Sequence, residues 1–135
     1  MRFAKQVSAW SERSMDKVDR ATREIGLVLF SSAIRKTPVD TGRARGNWQV
    51  GFTMAQGATT REDKAGALAI NDVMSLLKPG IFKQDNQVWL TNNLPYILKL
   101  EYGSSKQSPQ GMVRLSFEEM EPAIRAIVSR ISRSR

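Results

Sequence analysis

Cysteine and histidine are both missing from this 135-residue sequence. Their absence excludes disulfide frameworks, thiol nucleophiles, Ser-His-Asp triads, thiolate or imidazole zinc sites and iron–sulfur clusters together. Long apolar runs are missing too. The longest, Ile25 to Phe30, is interrupted by Gly26, whereas a membrane span needs about 20 apolar residues. No transmembrane helix and no membrane partner are expected. The start, Met1-Arg2-Phe3-Ala4-Lys5, is charged but lacks the apolar stretch of a secretory signal, which predicts an intracellular site of synthesis.

What is present suits one domain over residues 1–135: 41% of side chains are hydrophobic, enough for one modest core and too few for two. Lysine and arginine number 21 against 13 acids, a net charge of +8 that favours polyanionic or acidic partners.

Residues 3–36 hold no proline and one glycine, with Phe3, Val7, Trp10, Val18, Ala21, Ile25, Val28, Leu29 and Ala33 mostly three or four apart. That spacing predicts one long amphipathic helix. Its charged face, including Asp16/Arg20 and Asp19/Arg23 at i,i+4, reads as solvated. Thr37-Pro38 ends it. Trp48, Val50, Phe52 and Met54 alternate with less apolar residues, the period of a strand with one buried face. Thr60 and Asp63 resemble a capping box opening a helix to about Leu77, with Ala65, Leu68, Val73, Leu76 and Leu77 on its inner side. Ile81 to Lys83 and Val88 to Thr91 read as a hairpin. Tyr96 to Tyr102 fits a short helix or a third strand equally. Ser108-Pro109 reads as an N-cap with a first-turn proline, opening a terminal helix that Pro122 should kink or restart. The basic tail at 130–135 is expected to fray. The class is α+β: a small antiparallel sheet packed with a long N-terminal helix and a C-terminal helix.

The first helix carries a further implication. Thirty-odd residues at about 1.5 Å each span roughly 50 Å, while a globule of this length is about 37 Å across. Either the helix bends near Gly26, or its apolar end at Phe3, Val7 and Trp10 packs on another subunit, a burial contributing roughly 5 kcal/mol.

No catalytic, cofactor-binding or metal-ligating residue emerges. Asp40-Thr41-Gly42 matches the aspartic-protease triplet, which would make a dimeric acid protease, but Lys36 precedes it and Arg43 and Arg45 follow. A carboxylate among cations stays ionised and cannot share a proton. A turn is preferred, with the Asp40 carboxylate accepting from Thr41 and Gly42 and with Gly42 at positive φ. Glu118, Glu119 and Glu121 read as the acidic first half of the last helix. The glycines form no phosphate-binding pattern. Basic charge sits at both ends, eight cations against four anions in residues 1–36 and six against three in 104–135. Spread over two helices, it argues against sequence-specific binding and leaves nonspecific nucleic-acid binding, through Arg125, Arg130, Arg133 and Arg135, as an alternative function.

Two segments carry a resemblance: Thr37-Pro38-Val39-Asp40-Thr41-Gly42-Arg43 with Asn47-Trp48, and Tyr96 through Leu100-Glu101-Tyr102-Gly103-Ser104-Ser105-Lys106-Gln107-Ser108-Pro109-Gln110-Gly111-Met112-Val113-Arg114. With the long leading helix, they resemble the neck and tail-completion proteins of long-tailed bacteriophages, the family of the lambda-like minor tail protein Z. The resemblance implies a non-enzymatic virion component, made in the host bacterial cytoplasm and placed at the head-proximal end of the tail. It implies self-association into a ring, expected to be a hexamer, for head-tail joining and DNA passage. Partners would be tail-terminator, tail-tube and head-connector proteins, with nonspecific contact to phage DNA also open. Terminator and head-closure roles in the same neck are the near alternatives. Candidate interface residues are Phe3, Val7, Trp10, Arg43, Arg45, Trp48, Tyr102 and Lys106, with Trp48 equally a core position.

Overall fold

Helix α1 runs unbroken from Arg2 to Lys36, through Gly26 without interruption. The computed structural model describes residues 2–103 and 105–134, the side chain of Phe3 excepted. After α1 come a short α2 (Arg43–Gly46), β1 (Trp48–Gly51), α3 (Ala67–Leu76), a 3-10 turn (Ile81–Gln84), β2 (Trp89–Asn92), α4 (Ile97–Glu101) and α5 (Val113–Arg133). The class is α+β. Among the described residues no helix is long and apolar enough to cross a membrane.

α1 and α5 lie antiparallel. Ser32 Oγ meets Ser116 Oγ at 2.8 Å, Lys36 pairs with Glu119, Glu24 with Arg130, and the Lys17 ammonium donates to the Ser132 carbonyl at 3.2 Å. Behind them Ile34, Trp48, Ala69, Val73, Leu77 and Met112 form the core. The helix stop works as the sequence predicts. Thr37 Oγ1 donates to the Ala33 carbonyl at 2.7 Å, and Trp48 Nε1 donates to the same hydroxyl at 2.8 Å. Trp48 is 6% exposed, so it is core and not interface. Trp48→Phe should lower unfolding free energy by about 2 kcal/mol, from a lost buried hydrogen bond and a smaller ring. Urea denaturation measures this directly.

Several expectations are corrected. The strand from Trp48 ends at Gly51, and Phe52 and Met54 are exposed, because its partner β2 offers only the register Trp48↔Asn92 to Gly51↔Trp89. There is no hairpin at 81–91. Ile81–Gln84 is a 3-10 turn, and β2 pairs instead with distant β1. The α3 helix begins at Ala67, since Gly66 takes a left-handed φ of 76°. Asp63 does cap it, but from outside, its carboxylate accepting from the Ala69 amide at 2.9 Å. With that later start Ala69, Val73 and Leu77 face inward, while Ala65 and Leu68 are exposed. Tyr96 to Tyr102 contains helix α4, not a third strand.

Ser108-Pro109 is not the N-cap of α5, because Ser108 Oγ donates to the Gly111 carbonyl and the helix begins at Val113. α5 continues through Pro122 as one helix. The tail is ordered by packing up to Ser134. Ile131 is 2% exposed, and Ser132 and Arg130 bond to α1. Arg135 lies outside the described residues.

The charged face of α1 is not uniformly solvated. Asp16 pairs with Lys83 at 2.5 Å instead of Arg20. Asp19 is buried, accepting from the Gly80 and Phe82 amides at 2.9 and 2.8 Å and from Arg23 at 3.0 Å. Burial alone raises its pKa, but these donors outweigh that and bring it below the ordinary 3.8. Two carboxylates of α1, Asp19 through backbone amides and Asp16 through Lys83, thereby dock the 3-10 turn onto the helix.

Candidate functional site

The two resembling segments lie far apart in the chain and meet in space. Gln107 grips Val39 from both sides: its Oε1 accepts the Val39 N–H at 2.8 Å and its Nε2 donates to the Val39 carbonyl at 3.1 Å. A side-chain amide thus pairs with the backbone as a strand neighbour would, tying the loop before α5 to the turn after α1. Between them opens a cleft of about 220 Å³, lined among others by Asp40, Thr41, Arg43, Tyr96 and Gln107.

The turn itself is held from below. Gly42 sits at φ 88°, and its carbonyl accepts from the Gly46 and Asp63 amides, both at 2.9 Å. A Cβ there would come within 2.6 Å of the Lys64 backbone nitrogen, so both conformation and space demand glycine. Thr41 Oγ1, and not the Asp40 carboxylate, accepts from the Arg43 amide, at 3.2 Å. Asp40 is exposed at the turn.

Arg45 is drawn into the protomer, which corrects its reading as an interface residue. Its guanidinium donates to the carbonyls of Thr37, Arg35 and Lys64 at 2.9, 2.7 and 2.7 Å. Two of these acceptors belong to the carboxyl end of α1, where carbonyls lack helical partners and a cation is favoured. Burial pulls its pKa below the ordinary arginine value and nearby Asp63 pushes the other way; arginine stays charged at any physiological pH.

Glu101 organises the second segment. Its carboxylate accepts the amides of Met112, Val113 and Arg114 at 2.8, 3.0 and 3.0 Å, capping α5 from a different helix. Desolvation raises its pKa, yet these amides and the Arg114 side chain outweigh it, and the net shift is downward from the ordinary 4.5. The Arg114 guanidinium lies 5.1 Å from the centre of the Tyr102 ring. Tyr102 is otherwise 71% exposed, and Arg43 and Lys106 are exposed as well. These three remain on the surface near the loop and the turn.

Val7, Trp10, Met15 and Val18 are exposed on α1, Trp10 to 64%. α5 accompanies α1 only as far as Lys17. With 35 residues in α1 against 21 in α5, about 20 Å of α1 extends beyond its partner as an arm. The Phe3 side chain, also expected on this stripe, lies outside the described residues.

Compared with protein-family models, curated proteins and solved structures, the chain matches none. Among the described residues no group of three metal-ligating side chains comes together. Glu119 and Glu121 are taken up by Lys36 and Arg125.

Sequence reasoning does not single out Asp19, Gln107 or Glu101 as individual positions. Glu101 and Gln107 fall within the quoted segment, but their partners lie in other elements that periodicity does not connect. For Asp19 the sequence offers its i,i+4 spacing to Arg23, a pair the structure keeps at 3.0 Å, but no sign of the Gly80 and Phe82 amides that bury it.

Proposed function

We propose that this protein is a structural neck component of a long-tailed bacteriophage, acting in tail completion at the head-proximal end of the tail. Its copies would assemble as a ring, sixfold in the resembling family, that joins head to tail and leaves a path for DNA. It performs no catalysis, and its partners are sister copies and adjoining tail and connector proteins.

The observation that carries this reading is the Gln107–Val39 clasp. The two segments on which the resemblance rests form one surface, so they act as a unit and not as unrelated short motifs. The exposed arm of α1 supports it, since an apolar helical face left in water is a docking surface in waiting. Three of the four arginines of α5 speak for assembly over nucleic-acid binding, because Arg114, Arg125 and Arg130 are engaged by Glu101, Glu121 and Glu24.

Electron microscopy of tails produced with and without the protein tests the proposal. Density at the head-proximal end is expected only when the protein is present, and tails lacking it should fail to join heads. Identical tail ends in both preparations, with head joining intact, would refute it.

A further inference from the structure

We propose that α1 carries a site for the phosphate backbone of duplex DNA, built from Arg13, Lys17 and Arg20 where α1 meets the end of α5. The inference goes beyond the neck reading and does not depend on it, since it needs only one copy of the chain. Charges on this part of α1 fall into two lines one residue out of step. Glu12, Asp16 and Asp19 are spaced i,i+4,i+7, and so are Arg13, Lys17 and Arg20, which sets the two lines about 100° apart around the helix.

The acidic line is taken up by the 3-10 turn. Asp16 pairs with Lys83, and Asp19 accepts the Gly80 and Phe82 amides. Asp16 foremost, then Asp19 and Glu12, hold the Lys83 pKa above the ordinary lysine value, so all three carboxylates act on that side of the helix. The cationic line keeps its charge. Arg13 forms no ion pair among the described residues. Lys17 donates to the Ser132 carbonyl at 3.2 Å, and Arg20 reaches Glu24 at only 3.9 Å, a carboxylate that Arg130 already holds.

The three cations line one cavity of about 100 Å³ together with Asp16 and Ser134. The charge of Asp16 is met by Lys83, and the last carbonyls of α5 are answered by Lys17 and by Ser134 Oγ, which donates to Ile131 at 2.6 Å. The cavity is left positive. The forks of Arg13 and Arg20 suit phosphate oxygens, which they can bond in pairs. Arg2, exposed and about three helical turns before Arg13, extends the same line. From Arg2 to Arg20 it covers about 27 Å, too long for one phosphate and matched by a polymer with a charge every ~1.7 Å of its axis. Because α1 is unbroken, the cations keep fixed spacings, which suits the stiff backbone of a duplex. The net charge of +8 draws such a polyanion in.

Fluorescence anisotropy of a labelled duplex of arbitrary sequence, titrated with the full-length protein over a range of salt, tests the site. Binding is expected, with log K falling against log salt at a slope of about −3 to −4, from four contacts at about 0.9 each. Arg13→Gln combined with Arg20→Gln should weaken binding about tenfold at low salt and reduce the slope by about 2. Arg13→Lys with Arg20→Lys keeps the charge and should keep the slope. Lys64→Gln with Lys99→Gln removes the same charge at exposed positions outside α1 and should stay within about twofold of wild type. Circular dichroism checks that each variant is folded. Equal losses in the two glutamine pairs would mean diffuse attraction to a basic chain and overturn the proposal. So would the absence of binding, tighter binding to single-stranded DNA, or displacement of the duplex by inorganic phosphate at matched ionic strength. None of these results bears on whether tails carry the protein at their head-proximal end, so the neck assignment stands or falls separately.

Discussion

Arg45→Ala is expected to lower unfolding free energy by about 3 to 4 kcal/mol, which for a domain of this size is a fall in Tm of roughly 10 °C. The guanidinium joins the end of α1 and the segment before α3 to the helix that follows the turn, through the carbonyls of Arg35, Thr37 and Lys64. Removing it leaves three acceptors to be satisfied by water in a partly closed space, and it uncouples the turn from α1. Arg45→Lys should recover only about a third of the loss. A single ammonium lacks the planar fork that reaches three carbonyls in different directions. Arg43→Ala is the matched control, because Arg43 is exposed two residues away and should change stability by less than about 0.5 kcal/mol. Thermal and urea unfolding of the three variants settle the point. Equal stability of the Arg45→Ala and Arg43→Ala chains would mean that the fork contributes nothing.

Glu101→Ala should cost about 3 kcal/mol, and its pH dependence identifies the cause. Three amides at the start of α5 and the Arg114 side chain lose their acceptor together. The arrangement tolerates little repair. Gly111, at φ 87°, brings the chain so close that a Cβ would lie 2.3 Å from the Glu101 carbonyl oxygen. Because the folded pKa of Glu101 lies below 4.5, its contribution is complete above that value and is lost as pH falls through the folded pKa. Glu101→Gln keeps the shape without the charge. The stability gap between wild type and Glu101→Gln should therefore be constant from pH 7 down to about 5 and narrow in the more acidic range. Asp19, whose pKa is also lowered, titrates in both proteins and cancels from the difference. A gap independent of pH down to about pH 2 would show that the carboxylate charge does not hold the helix.

Helix α1, its stop at Thr37-Pro38 and the helical spacing of α5 were legible in the sequence, because each depends on periodicity or on the local geometry of proline. The α+β class followed from the same local signals, as did the positive φ of Gly42. Tertiary structure alone decided where strands pair and where caps come from. Val50 and Leu90 face each other only because a distant β2 is brought to β1, which displaced the local hairpin that Ile81 to Thr91 suggested. Ser108 had the chemistry of a cap, yet Glu101 supplies it from another helix, since a charged acceptor bonding three amides outcompetes a hydroxyl. The side chains of Arg45 and Asp19 looked like surface charges and became internal fasteners for the same reason: unpaired backbone groups at element ends attract the nearest full charge, and which charge is nearest is a property of the folded chain. The overhang of α1 belongs to both levels. Its length was written in the residues, but its exposed face became apparent only once α5 was seen to end beside Lys17.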